Sequence, residues 1–134
     1  MRMMISFAPL LLVVCLIASP ARAADALEGR WNIKVVPDEE ARQARQREFD
    51  DVLTFKALQF TSDHLKKIGF ASAQYDEDSR RNGPATFTVT LTSDKQGAVK
   101  WSGMSTGQDI KGTLVWTQKD GTILNFTFQG TRQS

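Results

Sequence analysis

At 134 residues, 41% hydrophobic and 24% charged, with 17 Lys and Arg against 15 Asp and Glu, the chain has the composition of one globular domain. That composition excludes a multidomain machine, a disordered tail and a collagen-like fibre. A net charge of only +2 also excludes a general basic field for nucleic acid.

Residues 1–23 read as a secretory signal peptide. Arg2 gives the positive start, Ile5 to Ala18 the apolar run, and Ala21-Arg22-Ala23 the small residues that signal peptidase requires, so cleavage is expected before Ala24. Cleavage after Ala26 is the rival, because Ala24 and Ala26 share that spacing. The apolar run is too short to span a bilayer, and Val14 before Cys15 is wrong for a lipoprotein, so no stable membrane anchor is expected after cleavage. The leader carries Arg2 and Arg22 and no acid, so residues 24–134 are close to neutral and the pI of about 8.8 belongs partly to the leader. They also lack cysteine. Thiol chemistry, iron-sulfur clusters and zinc-thiolate sites are excluded there, and the domain must rest on its core alone. Export to the periplasm or the medium is the expected localisation.

The first predicted element is a strand starting near Gly29, in which Trp31, Ile33 and Val35 alternate with Asn32 and Lys34 until Pro37 stops it. Asp38, followed by Glu39 and Glu40, caps a predicted surface helix that runs toward Phe49 with the thin apolar face Ala41, Ala44 and Phe49. Strand character resumes over Val52 to Phe60. Its phase slips between Leu53-Phe55 and Leu58-Phe60, which predicts a bulge or tight turn near Ala57. Ser62 to Ile68, closed by Gly69, predicts a helical turn, Phe70 to Tyr75 a further strand, and Asp76 to Pro84 an exposed loop. From Ala85 onward three turns separate four alternating segments. Phe87, Val89 and Leu91 lie on one face of the first, and Val99 and Trp101 mark the second. Ile110, Gly112, Leu114 and Trp116 mark the third, and Leu124, Phe126 and Phe128 the last. Asp120-Gly121 between the last two suits the positive φ angles of a type I′ hairpin.

Seven or eight strands with one short helix after the first strand and no βαβ alternation predict an all-β, antiparallel up-and-down meander that closes into a small barrel, because closure removes exposed edges. Gly29-Arg30-Trp31 resembles the Gly-x-Trp of lipocalins and related calycins, in which the Trp plugs the closed end of the barrel. The resemblance implies an Arg packed across that Trp just after the last strand, and Arg132 stands there. Residues 24–134 are thus similar in layout to small exported lipocalin-like domains of bacteria, although the chain is shorter than true lipocalins and lacks their second Thr-Asp-Tyr-type motif and C-terminal helix.

The candidate chemistry is sparse. His64 is the only histidine, so no His-His metal pair exists, and its place beside Lys66 and Lys67 reads as solvated surface. Asp76, Asp78 and Asn82-Gly83 resemble a calcium loop with the wrong spacing, so no metal is expected. Arg42, Arg45 and Arg47 could grip an acidic partner, but Asp38 and Glu48 favour a self-neutralised helix face. Trp101, Trp116, Phe87 and Phe126 are the candidate lining of an apolar ligand pocket, against the plainer reading that they fill the core. No glycine-flanked nucleophile and no closely spaced acid pair argues for an enzyme, and no cofactor is expected. The expected function is therefore an exported, non-catalytic, lipocalin-like module for a small apolar or amphipathic ligand. The alternative is a protein-binding domain, such as a hydrolase inhibitor, acting through loops. The segments Asp38 to Phe49 and Asp76 to Pro84 are expected to ring the open end.

Overall fold

Nine antiparallel strands form one sheet in meander order, bent round until its ends nearly meet. The computed structural model describes residues 24–79 and 83–134. The signal peptide expected over 1–23, with Cys15, lies outside the described residues, as do Arg80 and Asn82 of the calcium-like segment.

The strands are β1 (Gly29–Pro37), β2 (Phe49–Lys56), β3 (Gln59–Ser62), β4 (Ala73–Gln74), β5 (Asp76–Ser79), β6 (Ala85–Ser93), β7 (Gly97–Ser105), β8 (Asp109–Thr117) and β9 (Ile123–Arg132). Each pairs with its neighbour in sequence except β4 with β5, and β9 returns to pair with β1 from Trp31 opposite Arg132 to Pro37 opposite Phe126. The remaining seam is bridged by the chain itself. Ala71 N donates to Thr92 O of β6 at 3.2 Å, and Tyr75 N donates to Leu58 O at 3.0 Å.

Alternation fixes which side chains enter the barrel. Trp31, Ile33 and Val35 on β1, Phe87, Val89 and Leu91 on β6, and Leu124, Phe126 and Phe128 on β9 are buried, while Lys34, Thr88, Thr90, Asn125 and Thr127 between them are exposed. Each fully buried large apolar side chain contributes about 1.5–3 kcal/mol. The four strands expected after Ala85 and the first strand after Gly29 form as their pattern dictates.

The middle of the chain departs from expectation. The predicted run from Phe70 to Tyr75 yields only two-residue β4, and Asp76–Ser79, expected in a loop, pairs with Ala85 to Thr88 as β5. The phase slip near Ala57 is a two-residue hairpin: Lys56 faces Gln59, and Ala57 and Leu58 both have positive φ, at 51° and 65°. At Asp120-Gly121 only Gly121 has positive φ, at 89°. Gly121 N bonds Gln118 O at 2.9 Å and Gln118 N bonds Thr122 O at 2.8 Å, so this is a longer hairpin in which glycine takes the left-handed place, not the expected I′ turn.

Three short helices complete the fold among the described residues: α1 (Ala24–Leu27), α2 (Glu39–Gln43) and α3 (Asp63–Lys67). Asp38 caps α2 through Ala41 N at 2.8 Å, as expected. The helix stops far short of Phe49, however, because Arg45 N returns to Arg42 O and Gln46 N to Ala41 O, the paired bonds of a Schellman end. Of the expected apolar face only Ala41 is buried from within α2; Ala44 is exposed and Phe49 begins β2. Ser62 caps α3 through Leu65 N at 3.1 Å, as the spacing of Ser62 and Gly69 suggests. Among the described residues no helix is long and apolar enough to cross a membrane.

Candidate functional site

Trp31 lies toward one end of the barrel, where β1 pairs with the last residues of β9. Its ring is fully buried, and its indole Nε1 donates to Leu27 O of α1 at 2.9 Å. The Arg132 guanidinium lies over the ring with Cζ 4.2 Å from the centroid, while its edge donates to the carbonyls of Glu28 and Ala26. Gly29 makes this approach possible. It has φ +129°, and a Cβ there would come within 2.9 Å of the guanidinium. Gly29, Trp31 and Arg132 thus meet in one assembly.

The middle of the barrel is filled by rings. Phe55, Phe60, Tyr75, Phe87, Trp101 and Phe128 pack with centroids 4.9 to 6.4 Å apart, mostly edge to face. Phe87 and Trp101, two of the four expected ligand contacts, belong to this cluster, at 2% and 0% exposure. They belong to the packed core and do not line the cavity at the other end of the barrel. Trp101 Nε1 is buried with no hydrogen-bond partner among the described residues.

The opposite end is different. A cavity of about 310 Å³ lies beneath the α2–β2 connection, and it contains the other two expected residues, Trp116 and Phe126. Its floor is Val99, Leu114, Phe126 and Leu65, all at most 3% exposed. Trp116 and Ile68 form its sides with Phe49 and His64, and Arg45 to Glu48 form its lip. Trp116 is half-buried and fixed: its Nε1 donates to Gln96 O at 2.7 Å and its ring meets Phe70 edge to face at 6.2 Å.

His64 is a lining residue that sequence reading missed, as are Leu65, Ile68, Val99 and Leu114. His64 is half-buried and stacked on Phe49 at 3.8 Å and 15°, not a solvated surface residue. The available signal was the Ser62 cap, which fixes where α3 begins and so which side of it faces the barrel. Below α3 lies Asp51, a buried carboxylate. Its oxygens accept from Val52 N at 2.7 Å, His64 N at 2.9 Å and the Ser62 hydroxyl. Burial pushes its pKa above the ordinary value although these hydrogen bonds pull it down. Asp51 and Ser62 together pin the start of α3, and hence the wall of the cavity.

The lip carries the arginines. Because α2 ends at Gln43, Arg45 and Arg47 lie on the connection and not on a helix face, and the expected neutralisation is absent. Among the described residues the ion pairs are Arg30 with Asp63 at 4.0 Å and Lys34 with Glu48 at 3.8 Å. Glu48, expected to offset the arginines, turns to β1 instead. Wider grooves of about 550 to 670 Å³ cross the outer wall: two run around Lys111 and Gln129, and a third lies between Lys34, Asp50 and Gln129 on the strands and Asp63, His64 and Lys67 of α3. Of the two segments expected to ring the open end, Arg45 to Phe49 of the first line the cavity; of the second, Asp76–Ser79 is strand β5. No group of three or more metal-ligating side chains comes together among the described residues. No protein-family model, curated protein or solved structure matches this chain.

Proposed function

We propose that the protein is an exported, non-catalytic, lipocalin-like binding module that holds a small apolar or amphipathic ligand at the open end of its barrel. The observation that carries this reading is the cavity of about 310 Å³ with an apolar floor, open beneath the α2–β2 connection of the barrel. Its size is at the small end of ligand sites, about 300 Å³ and upward. A rigid sheet bearing a recognition loop is the usual division of labour in binding proteins.

The three indole N–H signals of the chain provide the test. Titration with decanol should move the Trp116 resonance, which reports the cavity wall, and leave those of Trp31 and Trp101 in place. Signals that stay fixed to the solubility limit, or that move together, would overturn the reading and leave the protein-binding alternative. That alternative has its own candidate contact in Leu58, 44% exposed at the tip of the β2–β3 turn.

A further inference from the structure

Resting on that reading of the cavity, we infer that its ligand is a single-tailed anion of carboxylate type, with the tail against Leu114, Trp116 and Phe126 and the head held by Arg45 and Arg47. The lip of the cavity is formed in part by these two arginines, and neither is in an ion pair among the described residues. The acid between β2 and Arg47, Glu48, is held by Lys34 on the adjacent strand. The cavity therefore pairs an apolar floor with a cationic mouth, which is the complement of an amphipathic anion. Guanidinium forks bind carboxylates through two parallel hydrogen bonds, which an ammonium cannot do.

The backbone adds a second observation. Arg45 occupies the left-handed position of the Schellman end, φ 68°, where glycine is the ordinary occupant because a Cβ is crowded. A structural cap would be better served by glycine. An arginine there fixes a long cationic side chain at the cavity's lip by the geometry of the helix end. The cavity is small and apolar at its base, which suits one tail and one head and not a two-tailed lipid.

The test compares decanoate, decanol and decyltrimethylammonium, all below their micellar concentrations, by calorimetry on the chain from Ala24. Decanoate should bind at least about tenfold tighter than either of the others, with the preference shrinking as salt rises. The double variant Arg45→Gly, Arg47→Gln should lose that preference, weakening decanoate far more than decanol, while melting no lower than the parent. Equal affinity for decanoate and decanol would overturn the anionic head and leave the cavity reading standing. Failure of all three to bind would overturn both. A preference that survives the double variant would overturn the assignment to Arg45 and Arg47. Sedimentation with phosphatidylglycerol vesicles without binding of monomeric decanoate would overturn the single-tailed ligand in favour of a membrane surface.

Discussion

Arg132 stacks on Trp31 by its face and bonds two main-chain carbonyls by its edge, so one side chain ties β9 to the turn before β1. The stacking contributes about 0.5–2 kcal/mol. It depends on Gly29, and Gly29→Ala should cost about 1–3 kcal/mol, from a methyl group at φ +129° and from displacement of the guanidinium. A lower denaturant midpoint with unchanged slope, and a shifted Trp31 emission, would register both effects. The sequence suggests this trio only through the calycin resemblance of Gly29-Arg30-Trp31, with the strand pattern placing Arg132 at the end of the last strand. The place of Asp51 is not legible in it. It stands with Asp50 just before Val52, where a polar pair reads as loop, and its burial is decided by Ser62 and His64, which lie 11 and 13 residues away.

Asp51 also carries a pH signature. Its folded pKa is raised by burial, so the native state holds the proton longer than the unfolded chain. The resulting stability is full below the ordinary carboxylate pKa of about 4 and declines as pH rises through the folded value. Asp51→Asn cannot ionise, so the unfolding free energy of the variant should gain on that of the wild type as pH rises from about 4. Urea melts at a series of pH values would measure this difference, and a constant offset would show that Asp51 ionises as freely as in the unfolded chain.

At the scale of elements, two tight places use residues that turn chemistry does not favour. The β2–β3 hairpin puts Ala57 and Leu58 at positive φ, where Asn-Gly is the ordinary pair. Replacing Ala57-Leu58 with Asn-Gly should stabilise the fold by about 1–2 kcal/mol. A thermal melt checks it, with unfolding of the variant at the parent's temperature as the contrary outcome. The position of this turn is readable from the slip in hydrophobic phase, but its type is not, because the pair carries no turn signature. The same cause hides the end of α2: with Arg45 in the glycine place, the run of Ala, Arg and Gln reads as uninterrupted helix. Short strands β4 and β5 escape for another reason. Neither has enough residues for alternation to stand out, and β5 takes its identity from pairing with β6, a tertiary fact.

Across the whole molecule the aromatic residues divide by position along the barrel. Period-two patterning identifies them as one inward-facing set, which is correct for the sheet, but it says nothing of depth. Trp101 lies at the centre, with Phe60 and Phe128 each 5.3 Å away and no exposure. Trp116 lies at the mouth, on the same face of the adjacent strand, half-buried against Phe70 and the cavity. Truncating Trp101 to Ala leaves a void that close-packed rings cannot fill and should cost about 3–5 kcal/mol. Truncating Trp116 removes partly hydrated surface beside a space that already exists, and should cost roughly half as much. The two variants also differ in what they do to binding. Loss of Trp116 widens the cavity and should weaken decanol and decanoate alike, whereas loss of Trp101 should lower stability and leave the affinity of the folded fraction intact. Denaturation and calorimetry on the same pair of variants measure both. Equal destabilisation would mean that the mouth is as closely packed as the centre, and the barrel would then have no open end in which to hold a ligand.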